Sequence, residues 1–240
     1  VGISANDAAI QVKNKALKLA SILLEKPEDE LELSDGAVRA RSDSNQFITL
    51  ADLALQLSPA VAGKLPEGFE TAGLEAVSYQ TTDYMPHSSG ANIAKVEVDV
   101  VTGGIKILDY YVVHDCGRIL NPMIVDGQII GGVVHGIGNA MFEQMVYDDS
   151  GNPMTTNYGD YLLPLASEMP EIHVAHIETP SPANPMGLKG AGEGGTIPAI
   201  GAMINAIEDA LTPFDAYIAK YPVTPEYILE LVDGEKIAAE

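Results

Sequence analysis

Ala94–Met145 reads AKVEVDVVTGGIKILDYYVVHDCGRILNPMIVDGQIIGGVVHGIGNAMFEQM, and it decides the fold. Ala94–Val101 and Ile105–His114 alternate apolar and polar residues, and Thr102-Gly103-Gly104 between them is a turn. A third alternating stretch, Ala76–Thr82, precedes them, so a three-stranded β-meander is expected. The charged alternate positions Lys95, Glu97 and Asp99 give this sheet one wet face, as in an antiparallel sheet covered on one side. After Asn121-Pro122 the chain enters a helix-length apolar run, Met123–Met145, that carries Gly131, Gly132, Gly136 and Gly138. Each glycine costs a helix about 1 kcal/mol relative to alanine. Their accumulation implies very close packing against another backbone or a bound group. Gln128 is a polar amide near the start of this run, placed either to cap or pack or to bind.

Outward from this core the signals are shorter. Ala9, Val12, Ala16, Leu19, Ala20 and Leu23 recur at helical spacing over Asn6–Leu24, with Asn6 or Asp7 as a cap. Leu31 and Leu33, then Ser34-Asp35-Gly36, then Val38 and Ala40 describe a small hairpin. Thr49 caps a short helix from Leu50, and Pro59–Gly73 is a connection. Tyr147–Pro153 is a turn, Ile172–Glu178 a further strand, and Tyr227–Leu231 a last short helix before an acidic tail. His87 falls in a loop, and His173 and His176 fall on opposite strand faces, which argues against a two-histidine metal site. Consecutive residues at a strand end likewise point apart, so His114, Asp115 and Cys116 do not read as a catalytic cluster. With no composition shift, the chain reads as one α+β unit.

Gly187–Gly195, GLKGAGEGG, encloses a single carboxylate, Glu193, in residues that cannot pack a side chain. Glycines permit close backbone approach to a bulky group, so the stretch reads as a binding loop. The following TIPAIGAMINAIEDAL is a helix starting near Thr196 with Pro198 early in it, which places Glu193 just before a helix N-terminus. Two other readings stand beside this one. Gly190, Gly192 and Gly195 match the dinucleotide pattern G-x-G-x-x-G, although a proline-rich segment, Thr179–Pro185, leads in where that pattern wants a strand. A flexible linker with an exposed glutamate is the plainer alternative.

Composition limits the partners. A net charge of -21 disfavours phosphate backbones, so nucleic acid is excluded in favour of small molecules and proteins. One cysteine, Cys116, excludes a disulfide framework, a four-cysteine zinc site or an iron–sulfur cluster built from this chain alone, and fits a reducing, cytoplasmic setting. No apolar run reaches the length of a membrane span and no export leader opens the chain, although Val1 in place of Met leaves an upstream start open.

Three pieces of the chain, VEVDVVTGGIKILDYYVVHDCGRILNPMIVDGQIIGGVVHGIGNAMFEQMVYD, DYLLPLASEMPEIHVAHIETPSPANPMGLKGAGEGGTIPA and NAIEDAL, together resemble the molybdenum hydroxylase family. Its members include the large subunits of xanthine dehydrogenase, aldehyde oxidoreductase, carbon monoxide dehydrogenase and hydroxybenzoyl-CoA reductase. The resemblance implies that residues 1–240 are the carboxy-terminal molybdopterin-binding domain of the xanthine dehydrogenase type, within a longer catalytic subunit or as one chain of a split one. The implied fold is α+β, with mixed or antiparallel sheets and packed helices.

By the same resemblance Glu193 is the active-site base that takes the proton from a water-derived metal ligand, and Gln128, Gly192 and Glu193 itself contact the cofactor. In a water-poor pocket that carboxyl would be pushed up by desolvation. This chain contributes no metal ligand of its own. The cofactor is molybdopterin, as such or as its cytosine dinucleotide, and the chemistry is hydroxylation of an aldehyde or N-heteroaromatic carbon, or the related reduction of an aromatic acyl-CoA. The 2Fe-2S and FAD centres belong to partner chains or domains. VGISANDAAIQ resembles the stretch after a serine-rich turn in the hydroxybenzoyl-CoA reductase branch, whereas His135 and Asn139 stand where many members carry glutamine. A non-catalytic assembly module and a nicotinamide-dependent dehydrogenase are the competing readings.

Overall fold

A computed structural model describes residues 2–60, 65–82 and 84–234. Part of the Pro59–Gly73 connection and the acidic tail after Gly234 therefore lie outside the described residues. Contacts divide the chain into two compact units, Val1–Thr82 and Asp83–Glu240, where the uniform composition suggests one. Each has its own hydrophobic cluster.

In the first unit, helix α1 (Gly2–Leu24) starts before the expected cap, so Asn6 and Asp7 lie within it. Asp7 instead accepts a hydrogen bond from the Ser78 hydroxyl. Strands β1 (Leu31–Ser34) and β2 (Ala37–Ala40) pair antiparallel around Asp35 and Gly36, both with positive φ, as a two-residue hairpin turn requires. A third strand, β3 (Asp43–Thr49), adds to β2 and runs into α2 (Leu50–Gln56), whose first turn is capped by Thr49 accepting from the Asp52 N–H at 3.1 Å. Leu19, Leu31, Val38, Leu53 and Leu57 close the core. Ala76–Thr82 is irregular rather than a strand. Val77 and Tyr79 are both largely bare, so its apolar face finds no cover among the described residues and alternation alone does not make a ladder.

In the second unit, β4 (Ser89–Val98) and β5 (Ile105–Asp115) form the expected antiparallel pair across the Asp99–Gly104 turn, and Lys95 and Glu97 are exposed as expected. The third strand is β6 (Ile172–His176), parallel to β5, so the sheet is mixed and not a meander. Parallel pairing needs a crossover. Helix α3 (Pro122–Met141) lies in that crossover, opened by the Asn121 side chain accepting from the Ile124 N–H at 3.2 Å. Helices α4 (Thr196–Ala210) and α5 (Pro225–Val232) follow, the latter capped by Thr224. Ile107, Tyr110 and Val112 of β5 pack with Ile129, Val133 and Ile137 of α3 and with Ala199, Met203 and Ile207 of α4. Burying each such aliphatic side chain contributes about 1.5–3 kcal/mol.

The α3 glycines do what their cost implies, on one face. A Cβ on Gly132 would meet the Thr196 nitrogen at 3.0 Å, and one on Gly136 would meet the Thr196 carbonyl oxygen at 2.8 Å. The two helices therefore cross backbone to backbone. On the other face, Gly127 and Gly131 have nothing within 4 Å of where a Cβ would lie.

Candidate functional site

The end of β5 and the Gly187–Gly195 loop are sewn together. Lys189 N–H donates to the Cys116 carbonyl at 2.9 Å, and Arg118 N–H donates to the Gly187 carbonyl at 3.0 Å. Gly117 has a φ of +69°, and any Cβ there would overlap the Gly187 carbonyl oxygen. The buried Asn184 amide donates to the Leu188 carbonyl at 2.8 Å and accepts from its N–H at 2.9 Å. The stretch is not a flexible linker. Nor is it a dinucleotide fingerprint, because Leu188 makes only an isolated antiparallel bridge to Gly117 and no parallel strand leads into Gly190. That removes the nicotinamide reading.

Asp115 is the anchor of this seam. Its carboxylate accepts from Gly117 N–H at 2.8 Å, Thr179 N–H at 3.2 Å and the Lys189 ammonium at 3.1 Å. Burial pushes the carboxyl up, but hydrogen bonds from Thr179, Gly117 and Lys189 outweigh it and hold the group far below the usual carboxylate range. A folded-state value below the unfolded one of about 3.9 means that Asp115 stabilises the fold above that pH and loses its contribution as pH falls further. Lys189→Met leaves a buried, unpaired carboxylate. The expected loss is about 3 kcal/mol, the low end for breaking a buried pair because both side chains keep slight exposure. Urea midpoints from pH 7 to pH 3.5 check this: the gap between wild type and variant should narrow below about pH 4.

Beyond the seam the loop presses on two elements. A Cβ on Gly194 would overlap Cε1 of His114 and sit 2.8 Å from its Nδ1, and one on Gly195 would overlap the Ile129 carbonyl oxygen of α3. The Glu193 carbonyl accepts from Thr196 N–H at 3.1 Å and Ile197 N–H at 3.2 Å, so Glu193 heads the first turn of α4. Gln128 is the neighbour of Ile129 on α3. The structure thus draws the loop of Glu193 and the helical turn of Gln128 to the same crossing.

Both side chains are exposed. The water-poor pocket expected around Glu193 is therefore not closed by the described residues. Gly127 and Gly131, which flank Gln128 along α3, and Gly192, next to Glu193 in the loop, each leave open space where a Cβ would point. His135 is exposed on the same helix, whereas Asn139 is half-buried and lines a cavity with Glu143, Tyr158 and Tyr161. A more apolar cavity of about 700 Å³ lies between β5, Phe142, Leu162 and Pro222–Pro225 and contains neither Glu193 nor Gln128.

The other histidines and the cysteine lie apart from this loop or are buried beneath it. His87 is in a loop, His173 stacks on Tyr111 at 4.6 Å between ring centres, and His176 bonds Asp126 of α3 at 2.6 Å. Burial pushes the Cys116 thiol up, against nucleophilic use. Among the described residues no three His, Cys, Asp or Glu side chains converge as metal ligands. His114 is the residue that sequence reasoning passed over: it is 1% exposed and lies directly beneath the glutamate's loop. Its signal was Gly194, a glycine whose reason is an imidazole 80 positions away.

A family model described as a molybdopterin cofactor-binding domain matches residues 1–170. The chain belongs to the molybdopterin-binding part of the molybdenum hydroxylase family. Among its curated relatives, the nicotine 6-hydroxylase large subunit of Paenarthrobacter nicotinovorans is 40% identical over 95% of this chain and 28% of its own length. A solved CO dehydrogenase from Oligotropha carboxidovorans superposes with a TM-score of 0.74 at 30% identity, covering 97% of this chain and 28% of that one. Quinoline 2-oxidoreductase from Pseudomonas putida 86 gives 0.72 at 36% identity, covering 94% and 28%. This molybdopterin-binding chain spans less than a third of the relatives it matches. The family model ends at residue 170, but both superpositions cover so much of the chain that they extend past it into the second unit's later elements.

Proposed function

We propose that this chain is the carboxy-terminal, molybdopterin-binding part of a molybdenum-dependent oxidoreductase, with Glu193 as its general base and Gln128 and Gly192 as cofactor contacts. One observation carries the reading: Gly195, two residues after Glu193, is seated on the α3 turn of Ile129, the chain neighbour of Gln128, while Gly127, Gly131 and Gly192 leave open space where a Cβ would point. When bound, the molybdenum–pterin group supplies the two-electron redox chemistry. The chain's own residues do the rest. The Gln128 amide, held on a helix, would donate to and accept from the polar groups of the pterin. Gly192 admits the group closely because it has no side chain. Glu193 takes up the proton of the water that becomes the new hydroxyl, and its loop is held by backbone contacts that the proton transfer does not disturb.

The substrate is a small molecule with an electron-poor carbon. Two similar proteins are named for nicotine and quinoline, which favours an N-heteroaromatic ring over an aldehyde or an aromatic acyl-CoA. The 2Fe-2S and FAD centres that would receive electrons belong to partner chains or domains, since one cysteine, buried at the seam, cannot build an iron–sulfur cluster. Leu120, Met123 and Ile124 near the start of α3 and Ile197 at the start of α4 are exposed apolar residues, available to the remainder of the molybdenum subunit.

Metal and pterin analysis of the assembled complex tests this. The expected result is one molybdenum and one pterin per copy of this chain, and a cofactor-free complex would leave the assembly-module reading in its place. Gln128→Ala should weaken cofactor retention about tenfold, the worth of one hydrogen bond to a charged or strongly polar group. Unchanged molybdenum content after dialysis would remove Gln128 from the site.

A further inference from the structure

We propose that His114 is a positioning residue whose ring is the floor on which the Glu193 turn rests. The proposal builds on the general-base reading of Glu193. The His114 side chain is 1% exposed, and neither ring nitrogen has a hydrogen-bond partner. An imidazole in that state normally carries a cost, because a buried N–H without an acceptor forfeits its hydration. What it gains is contact. The Gly194 backbone lies against the ring so closely that a Cβ would overlap Cε1 and fall 2.8–2.9 Å from both nitrogens. The ring fills the space that any side chain on Gly194 would need.

The neutral form is the one this surrounding favours. Burial pushes the imidazole below its ordinary value, His176 pushes it the same way, and Asp115 opposes them. His176 is the register partner of His114 across the parallel β5–β6 pair, and it is engaged with Asp126 of α3. Two imidazoles on adjacent strands therefore divide the work. His176 ties β6 to the start of α3, close to Gln128, while His114 supports the loop of Glu193. A flat ring, not a proton donor, is what this position requires.

Three variants in the holoenzyme test it. His114→Ala removes the floor, and a displacement of about 1 Å at a reacting group is worth about 10²-fold in rate. The expected result is kcat lowered about 10- to 100-fold with KM and molybdenum content little changed, and faster amide hydrogen exchange over residues 190–195. His114→Phe keeps a ring of similar breadth with no nitrogen, and should recover most of both the exchange protection and kcat. His114→Gln keeps a hydrogen-bonding group without the ring and should behave like the alanine variant. If Phe fails while Gln succeeds in a stably folded enzyme, the nitrogens matter and the floor is refuted. Unchanged exchange and unchanged kcat in His114→Ala would also refute it. Should Glu193→Gln leave turnover intact, the general-base reading fails, yet the exchange data still decide whether His114 fixes the loop.

Discussion

Glu193→Gln in the assembled enzyme should lower kcat about 10²- to 10⁴-fold, the usual contribution of a general base, while molybdenum content and thermal stability stay at wild-type values. The separation of these readouts follows from what each part of Glu193 does. Its backbone carbonyl accepts the first two N–H groups of α4, and its glycine neighbours contact His114 and α3, so the turn is built without the carboxylate. The side chain is exposed. Glutamine has the same shape and can still donate and accept, but it cannot take up a proton near neutral pH. A purely architectural residue would tolerate that exchange. Turnover within a factor of two of wild type would therefore remove Glu193 from the chemistry. A parallel loss of molybdenum would recast it as a group that holds the cofactor and does no proton transfer.

Local chemistry made much of the fold readable. Asn121-Pro122 and Thr49 with Asp52 announce the starts of α3 and α2, and Ser34-Asp35-Gly36 announces the hairpin, because caps and turns are settled within four residues. What stayed hidden depends on distant partners. β3 is mostly exposed and polar, so its pairing with β2 leaves no periodicity to read. The direction of β6 is fixed by the crossover through α3, and Ala76–Thr82 has the alternation of a strand without a ladder. The site divides the same way. The glycine crowding of Gly187–Gly195 and the family resemblance single out Glu193, Gly192 and Gln128, but only packing explains why Gly194 and Gly195 are obligatory and Gly190 and Gly192 are not crowded. His114 and Asp115 looked like a strand end, and their burial under and beside the loop makes them its foundation.

Gly195→Ala separates local preference from packing, because the two predict opposite signs. Gly195 has φ −81° and ψ −36°, an ordinary right-handed helical conformation that alanine adopts freely. On backbone entropy alone, alanine there should stabilise the fold by about 0.4–1 kcal/mol. The neighbours forbid it. The new methyl would overlap the Ile129 carbonyl oxygen and lie 2.9 Å from the Val133 nitrogen, and both are backbone atoms in the middle of α3 that cannot swing aside. Either α4 lifts from α3 or the loop shifts, and overpacking of this kind costs about 1–3 kcal/mol. For a protein of this size each kcal/mol moves Tm by about 2–4 °C, so the variant should melt lower, with cofactor retention and kcat falling together as Glu193 leaves the Gln128 turn. Two neighbouring glycines serve as comparisons. Gly201, inside α4 with nothing within 4 Å, should become more stable as alanine by about 0.5–1 kcal/mol. Gly192 is equally uncrowded, so Gly192→Ala should leave Tm unchanged but lower turnover, because its methyl would stand on the surface assigned to the cofactor. Equal thermal stability in Gly195→Ala and wild type would show that the loop does not rest on α3, and the shared crossing of Glu193 and Gln128 would go with it.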